Sequence, residues 1–398
     1  MTKEELFTEI LGIQEIKITS ATIHADKYEF SVCSILAQGK CPNCGKICCK
    51  VKSYTHRIIK DLPISGKSVT LLLEVRQFEC SCGNYFTEPF GFVRPHKHLT
   101  IRYEEYLYFK CKGVDLTYIA HKEQLDWKTV DEIFDTYSCQ EIAARTDWSA
   151  VTHLAIDEIA LKKGHNNYVV VVLDLLSGVI LDILEQRDKA SLIQYFRDKG
   201  LEFCQRIQLF CSDMWQSYLN CAKEVFPNAV VVADRFHFFG KCQQAIDHAR
   251  NSFRKTFPKA PELKKLKWVL LKNPENLSVK ELEQLHEVFE KKDYHLLRLT
   301  WDARNTLRDI FNSPFDIKDA EYHIEKWIEG VKKYKVRYFL KFIEFYQTWK
   351  TVILNYFNGR FSTGKLEGTN NKLKLIKRRA FGFIKHDHFK KRAMVEFY

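Results

Sequence analysis

The chain has 398 residues, of which 45% are hydrophobic, and 62 Lys+Arg against 50 Asp+Glu give it a net charge of +12. This length and apolar fraction suffice for two or three packed domains. No stretch approaches the roughly 20 apolar residues of a membrane span, and the polar start MTKEELFTEI is unlike a secretory signal, so we predict a cytoplasmic protein. The charge suits a polyanionic partner, although an ordinary soluble basic protein would also explain it.

Two close cysteine pairs indicate a metal site, because disulfides are rare in a reducing compartment. One pair lies in CPNCG and the other in CSCG, so two loops can supply four thiolates to one tetrahedral, structural Zn²⁺. The predicted ligands are Cys41, Cys44, Cys80 and Cys82. The second pair has one intervening residue where two are usual, and Cys48 or Cys49 could substitute there. Four cysteines without a metal remain the alternative.

The segment GVDLTYIAHKEQLDWKTVDEIFDTY has the pattern of a helix-turn-helix. Asp115 can cap a first helix, a turn is expected near Gln124–Leu125, and Trp127–Tyr137 can form the second helix. Lys128 and Thr129 would then face outward, where a recognition helix meets the major groove. A helical hairpin that only packs against the protein is the alternative.

Beyond residue 150 the pattern changes to strands separated by turns. THLAIDEIAL, YVVVVLDLL and VILDILEQ predict an antiparallel meander, and RIQLFCSD and NAVVVADRFH, each next to helix-like segments, predict two parallel strands. Such a mixed five-stranded sheet is the ribonuclease H-like α/β arrangement. Residues from about 240 to 358 are helix-like throughout, which predicts an all-helical insertion before the last helix.

Two aspartates are candidates for a shared metal site. Asp157 lies in the first strand of the meander, and Asp213 ends the strand predicted beside it, at the usual spacing of about 4.8 Å. Asp213 could instead cap the following helix. Glu158 should point to the opposite face of the sheet, and Asp174 and Asp182 flank a turn, where we expect them to be solvated.

A third carboxylate lies in a basic, helix-like segment, GKLEGTNNKLKLIKRRA. Helical spacing puts Glu367 on one face with Asn371, Lys374 and Arg378, which fits a metal ligand beside a phosphate-binding track. An intrahelical ion pair would be the simpler explanation. The side chains predicted to contact DNA here are Asn371, Lys374, Lys377, Arg378 and Arg379.

The motif ADRFHF places two more polar side chains at the end of the last strand. Asp234 and His237 are candidates for an accessory role near the metal site, and a hydrogen-bonded structural pair is the alternative. Three carboxylates at Asp157, Asp213 and Glu367 can hold magnesium ions that align an attacking oxygen with a phosphodiester.

Several of these motifs, in this order, resemble the DDE transposases of bacterial insertion sequences, and in particular the ISL-three family. The resemblance is carried by CPNCG, DLPISGK, AIDEIALKKGH, SDMWQSY, ADRFHF and EGTNNKLKLIKRRAFGF. It implies that Asp157, Asp213 and Glu367 are the catalytic acids. It also implies cleavage at the terminal inverted repeats of the element and joining of the freed 3′ hydroxyls to target DNA.

The sequence and the resemblance together predict three parts. These are an N-terminal zinc ribbon (1–98), a helix-turn-helix (99–148) and a ribonuclease H-like domain (149–398) with a helical insertion at about 240–358. We expect two catalytic Mg²⁺ ions, replaceable by Mn²⁺, one structural Zn²⁺, and at least a homodimer on DNA, associated with the nucleoid. A nuclease without strand transfer and a non-catalytic DNA-binding regulator are the alternatives.

Overall fold

The computed structural model describes residues 2–161, 168–361, 364–380 and 385–397, and it leaves out the side chains of residues 365–367. The chain divides into two compact units, Met1–Ala143 and Ala144–Tyr398. Among the described residues, no helix is both long enough and apolar enough to cross a bilayer.

The first unit combines a five-stranded sheet, a small two-stranded sheet and four helices. Its strands are β1 Ile16–Ile23, β2 Lys27–Ser34, β3 Gly39–Lys40, β4 Ile47–Cys48, β5 Val51–Ile64, β6 Lys67–Glu79 and β7 Tyr85–Thr87. Its helices are α1 Lys3–Leu11, α2 Ile101–Cys111, α3 Leu116–Lys122 and α4 Trp127–Arg145. Helix α1 was not predicted from the sequence, although Thr2 and Glu5 form a capping box at its start.

The larger sheet of this unit runs in the order β1-β2-β6-β5, with β7 also paired to β6. The long β5–β6 hairpin turns at Ser65 and Gly66, which both have positive φ angles, as the right-handed twist of a hairpin favours. Asp61 on β5 is buried, and its carboxylate accepts hydrogen bonds from Thr100 and Arg102. This contact ties the start of α2 to the sheet.

Helices α3 and α4 lie where the helix-turn-helix pattern predicted two helices. The Asp115 carboxylate accepts a hydrogen bond from the Tyr118 amide and so caps α3, and the turn contains Gln124 with a positive φ angle. Helix α4 continues past Tyr137 to Arg145, because the segment contains no glycine or proline to end it.

The second unit is built on a mixed five-stranded sheet. Its strands are β8 His153–Ala160, β9 Tyr168–Asp174, β10 Ile180–Leu184, β11 Leu209–Ser212 and β12 Val230–Ala233, in the order β10-β9-β8-β11-β12. Strand β9 pairs antiparallel with both β8 and β10, and β11 pairs parallel with both β8 and β12. The predicted mixed sheet of three antiparallel and two added parallel strands is therefore confirmed.

One face of this sheet packs against helices α5 Lys189–Arg197, α6 Leu201–Arg206 and α7 Gln216–Val225. Alternate residues of β8, such as Leu154 and Ile156, join Phe196, Phe210 and Phe226 in that apolar core. On β8 the intervening residues, which include Asp157, face the opposite side. That side is contacted by α14 Gly364–Arg379 at β8 and by α15 His386–Glu396 at β10.

Between β12 and α14 the described chain is helical, as predicted. The helices are α8 Arg235–Thr256, α9 Glu262–Leu271, α10 Val279–Phe289, α11 His295–Asn312, α12 Ile317–Lys333 and α13 Leu340–Leu354. Short 3-10 turns lie at Pro274–Asn276, Lys292–Tyr294, Arg337–Phe339 and Asn355–Phe357. Helix α8 begins directly after the last strand, so the insertion starts at the carboxyl end of β12.

Candidate metal sites

The four cysteines predicted to bind zinc lie together in the first unit. One ligand atom from each of Cys41, Cys44, Cys80 and Cys82 lies within 4.8 Å of the others. The Sγ atoms of Cys41 and Cys82 are 3.8 Å apart, and those of Cys44 and Cys80 are 3.5 Å apart. A tetrahedral zinc with bonds of about 2.3 Å places its sulfurs about 3.8 Å apart, so the cluster has the dimensions of a closed four-sulfur site.

Both cysteine loops turn at a glycine. Gly45 and Gly83 have φ angles of +74° and +84°, and their amides donate to the carbonyls of Cys41 and Cys80. The backbone amide of Cys82 lowers the pKa of the Cys80 thiol to about 6, which favours the thiolate that a metal requires. The tight spacing of the second pair therefore does not keep its sulfurs out of the cluster.

The cysteines that follow the first loop lie outside this set of four. Burial raises the pKa of Cys48 to about 11, and its thiol donates to the carbonyl of Lys46. Cys49 is exposed and contacts Gln38. The four sulfurs that lie within 4.8 Å of one another are those of the four predicted cysteines.

In the second unit, three aspartates are level with one another across three parallel strands. Cys211 on β11 pairs with Ala155 on β8, so two residues further along each strand Asp213 stands opposite Asp157. Ser212 pairs with Ala233 on β12, so the next step along sets Asp213 opposite Asp234. Asp157 lies within β8, three residues before its end, whereas Asp213 and Asp234 directly follow β11 and β12.

His237, in the first turn of α8, lies among these aspartates. Its Nε2 is 4.0 Å from Oδ1 of Asp157, and its Nδ1 is 3.3 Å from Asp234 Oδ2 and 3.9 Å from Asp213 Oδ1. Contact with Asp234, strengthened by the charges of Asp157 and Asp213, raises the pKa of His237 to about 9. At neutral pH the imidazolium thus places a positive charge among three carboxylates.

Asp157 is the buried centre of this acidic cluster, with 7% of its surface exposed. Burial raises the pKa of its carboxyl, while its Oδ1 accepts from the Glu158 amide and its Oδ2 accepts from the side-chain amide of Asn370 on α14. Asp157, Asp234 and His237 each offer a ligand atom within 4.8 Å of the other two. Asp213 is more open, and its Oδ1 accepts from the Met214 amide.

A second set of contacts lies on the opposite face of the sheet from these acids and joins β8 to α7. Glu158 faces the other side of the sheet, as predicted, where its Oε1 accepts from the Tyr218 hydroxyl at 2.6 Å. Its Oε2 lies 2.5 Å from a guanidinium nitrogen of Arg187, which also stands over the ring of Trp215. Tyr218 lies on α7, the helix that follows β11 and Asp213. Glu158 therefore fixes the strand of the first aspartate to the helix that follows the second.

Helix α14 contributes to the cluster from the face that contacts β8. Glu367 lies in this helix, one turn before Asn370, but its side chain is outside the described part of the structure. Lys377 donates from Nζ to the carbonyl of Ala160 at the end of β8, so it is partly buried. The helix thus runs along β8 with the Asn370 and Lys377 positions turned toward the strand.

The other residues predicted to contact DNA are mainly exposed. Asn371, Lys374, Arg378 and Arg379 are exposed on α14, and Arg379 also contacts Glu396. Lys128 is exposed at the start of α4. Thr129, by contrast, is partly buried and lines a cavity of about 550 Å³ that is bordered by the 94–99 segment and α4.

Two expectations about polar residues need correction. Asp182 is not solvated, because its side chain is 14% exposed and is held by Lys390 and by the Tyr195 hydroxyl. Asn370, which the sequence pattern did not select, contacts Asp157, whereas the selected Asn371 is exposed. Asp174 behaves as expected, since its carboxylate accepts bonds from the turn residue Ser177.

Comparison with known proteins agrees with this combination of sites. The zinc-finger model of the transposases IS204/IS1001/IS1096/IS1165 matches residues 37–82, and the ISL3 DDE model, described as transposase, matches residues 154–393. A transposase for insertion sequence element IS1001 from Bordetella parapertussis is 28% identical over 357 residues, or 88% of this chain and 86% of that protein. A transposase for IS1557 from Mycobacterium tuberculosis is 23% identical over 373 residues, or 86% and 82% of the two chains. The chain therefore belongs to the ISL3 family of transposases.

Proposed function

We propose that this protein is an active transposase of a bacterial insertion sequence. It would bind the terminal inverted repeats, cleave DNA at the element ends and join the 3′ hydroxyls to target DNA on a ribonuclease H-like domain. The observation that carries the proposal is the alignment of Asp157 in β8 with Asp213 and Asp234, which directly follow the adjacent parallel strands β11 and β12, beside a basic helix that contains Glu367.

The donor set fits divalent cations. Carboxylate oxygens from separate strands converge, and the buried Oδ1 of Asn370 beside them has no hydrogen-bond partner among the described residues. We propose that Asp157, Asp213 and Glu367 hold two Mg²⁺ ions, replaceable by Mn²⁺. When bound, such ions stabilise charge on the phosphate and lower the pKa of the attacking hydroxyl.

The chain's own residues have separate tasks in this proposal. Asn370 donates to Asp157 and so orients its carboxylate, while Asp234 holds the His237 imidazole. The imidazolium can donate to a non-bridging oxygen of the phosphodiester as negative charge develops there. The exposed side chains of Asn371, Lys374, Arg378 and Arg379 would hold phosphates of one DNA strand along α14, whereas Lys377 is bound to the Ala160 carbonyl and is not assigned to this track.

We assign DNA-end recognition to the first unit. The Cys₄ cluster would hold one structural Zn²⁺, and α3 with α4 would act as a helix-turn-helix that presents Lys128 to the major groove, whereas the partly buried Thr129 faces the cavity beside α4. The proposed parts are 1–98 and 99–148, followed by the catalytic domain 149–398. Joining two element ends calls for at least a homodimer on DNA.

The test is incubation of the full-length protein with DNA that carries the element ends, in Mg²⁺, with every product strand mapped at nucleotide resolution. Cleavage at both ends followed by joined products is the expected result. Cleavage without joining would support the rival ribonuclease H-like nuclease. Specific end binding without cleavage would support a regulator derived from a transposase.

A further inference from the structure

The end of α8, the following turn and α9 form a strongly basic segment of the helical insertion. Residues 254–272, here called the basic tract, contain seven Lys/Arg and one Asp/Glu. The single acid, Glu262, is already engaged, because its carboxylate lies 2.9 Å from Lys291 Nζ and accepts from the Tyr294 hydroxyl. The tract therefore carries a local excess of positive charge that its own sequence does not neutralise.

Helix α9 presents this charge on one face. Its apolar side buries Leu263, Leu266, Val269 and Leu270 within the insertion. The opposite side exposes Lys264, Lys265, Lys267 and Trp268. Trp268 lies four residues after Lys264 and three after Lys265, so helical geometry places it between lysines on the solvent face.

The lysines of this face are not part of surface ion pairs. No described carboxylate lies within 4.0 Å of the ammonium groups of Lys264, Lys265 or Lys267, whereas other charged residues of the insertion are paired. Examples of such pairs are Lys272–Glu281, Lys326–Glu329 and Lys350–Glu325. A comparable group, Lys332, Lys333 and Lys335 around the exposed Tyr334, lies at the end of α12, but α9 carries its three lysines and Trp268 on one face of a helix within the basic tract.

Trp268 is unusual in this setting, because 68% of its surface is exposed. Its ring is contacted by the Lys267 ammonium, 4.9 Å from the ring centroid. A lone exposed apolar side chain needs no explanation, but an aromatic ring surrounded by unpaired cations matches the surfaces that bind nucleic acid through phosphates and ring contacts. A second copy of the same face would bring like charges together, which disfavours self-association here.

We propose that the exposed face of α9, formed by Lys264, Lys265, Lys267 and Trp268, is a DNA-contact surface of the helical insertion. The lysines bind duplex phosphates, and the Trp268 ring lies against the sugar-phosphate backbone. The surface holds DNA independently of its sequence, in addition to the proposed recognition by the first unit. The choice of DNA as the polyanion rests on the proposed function.

The experiment measures binding of the full-length, zinc-loaded protein to a fluorescent duplex unrelated to the element ends, over a KCl series. In the triple variant Lys264→Gln/Lys265→Gln/Lys267→Gln, each lost phosphate contact lowers the log–log salt slope by about 0.9, and affinity at low salt falls roughly tenfold. The corresponding triple Lys→Arg variant keeps the charge and should bind like the wild type. Trp268→Ala should weaken binding without changing the slope.

The matched control is Lys280→Gln/Lys318→Gln/Lys341→Gln, which removes three exposed, unpaired lysines from other helices of the insertion. Wild-type affinity and slope in the α9 triple variant, an equal loss in the control, or unchanged binding by Trp268→Ala would each overturn the assignment. Mg²⁺-dependent cleavage of element ends is followed in parallel. If the wild-type protein cleaves element ends but the α9 triple variant binds the unrelated duplex normally, only this inference is rejected. If the α9 triple variant binds more weakly but the wild-type protein does not cleave, only the proposed activity is rejected.

Discussion

The cysteine cluster and the acidic cluster both gather ligand atoms from distant parts of the sequence, yet they are built differently. Cys41, Cys44, Cys80 and Cys82 come from two short loops, each turned by its own glycine, and four sulfurs complete the coordination of a zinc ion. The aspartates come from three neighbouring strands, one within β8 and two directly after β11 and β12, and their positions depend on the pairing of these strands. One cluster is closed, and the other leaves Asp213 accessible.

This difference separates a site that stabilises structure from one that can perform chemistry. A closed four-sulfur site leaves no position for a substrate, so its contribution is to folding. The acidic cluster combines a buried carboxylate, a more exposed one and an imidazolium, which suits the proposed binding of a cation and a phosphate there. Changes in the two clusters should therefore affect different measurements, and the following variants test that separation.

The largest effect is expected from the acids. Asp157→Asn, or Glu367→Gln, removes a negative charge while nearly keeping the shape of the side chain. Cation binding should fail, and cleavage and joining should fall by several orders of magnitude, whereas binding to DNA ends persists because it depends on other surfaces. Product mapping and gel-shift titration on the same preparations measure the two quantities.

Asp174→Asn is the matched control, because Asp174 accepts hydrogen bonds within its own turn and lies outside the acidic cluster. It should remain active. Near-normal strand transfer by the Glu367→Gln protein, at comparable folded yield, would remove Glu367 from the proposed set of ligands.

The next effect concerns the closed cluster. Cys41→Ser should reduce the zinc content from about one ion per chain to nearly none and destabilise the surrounding loops, since metal binding and folding are coupled there. Selective binding to element ends should be lost, and weak, salt-sensitive binding to any DNA should remain. Elemental analysis and competition binding measure both outcomes. Cys49→Ser, an exposed cysteine outside the cluster, should change neither, and zinc-free native protein would contradict the assignment.

More of the cysteine cluster than of the acidic cluster could be predicted from the sequence, and the reason is physical. Cysteine spacing and the glycines that follow predict a zinc loop locally, so the sequence predicts which four cysteines lie together. The apolar runs around Asp157 and Asp213 likewise predict buried strands, and the end of the last strand makes Asp234 and His237 candidates for a place near them. The contacts of His237 with Asp157 and Asp213 could not be predicted from the sequence, because they depend on β11 lying between β8 and β12 and on the direction in which α8 begins.

The position of Asn370 shows a second limit. Counting helical steps from Glu367 selects Asn371, but the packing of Leu373 and Ile376 sets how α14 is rotated on the sheet, and that rotation turns Asn370 toward Asp157. A shift of one residue on a helix changes direction by about 100°. Periodicity predicts which faces exist, whereas tertiary contacts decide which face meets the site.

Replacing His237 should have a smaller effect than replacing one of the acids. His237→Ala removes the imidazolium that lies between Asp157 and Asp213, so one donor to the developing phosphate charge is lost. Cleavage should fall by roughly 10²-fold with end binding retained. Single-turnover cleavage rates provide the measurement. His286→Ala, on an exposed part of α10, serves as the control, and equal rates for the His237→Ala and wild-type proteins would assign His237 a purely structural role.

The smallest effect is expected from replacing Tyr218, which lies on the opposite face of the sheet from the acids. Tyr218→Phe removes the hydroxyl that donates to Glu158 and leaves a carboxylate oxygen without that partner, at a cost of about 1–3 kcal/mol in the free energy of unfolding. Because Glu158 adjoins Asp157 and Tyr218 follows Asp213, the loosened contact should also weaken apparent Mg²⁺ affinity by about tenfold. Cleavage rates measured across a Mg²⁺ titration give the midpoint, and excess Mg²⁺ should restore most of the activity.

Tyr195→Phe is the discriminating control, since the Tyr195 hydroxyl donates to Asp182 on β10, a strand that carries none of the clustered acids. This variant should lose comparable stability in thermal unfolding but keep the wild-type Mg²⁺ midpoint. If the two tyrosine variants shift that midpoint equally, general loosening of the sheet explains the effect. If only Tyr218→Phe shifts it, the hydrogen bond to Glu158 positions the strand of Asp157 against the helix after Asp213. The acidic cluster then depends on a contact outside it, whereas the cysteine cluster is positioned by its own two loops.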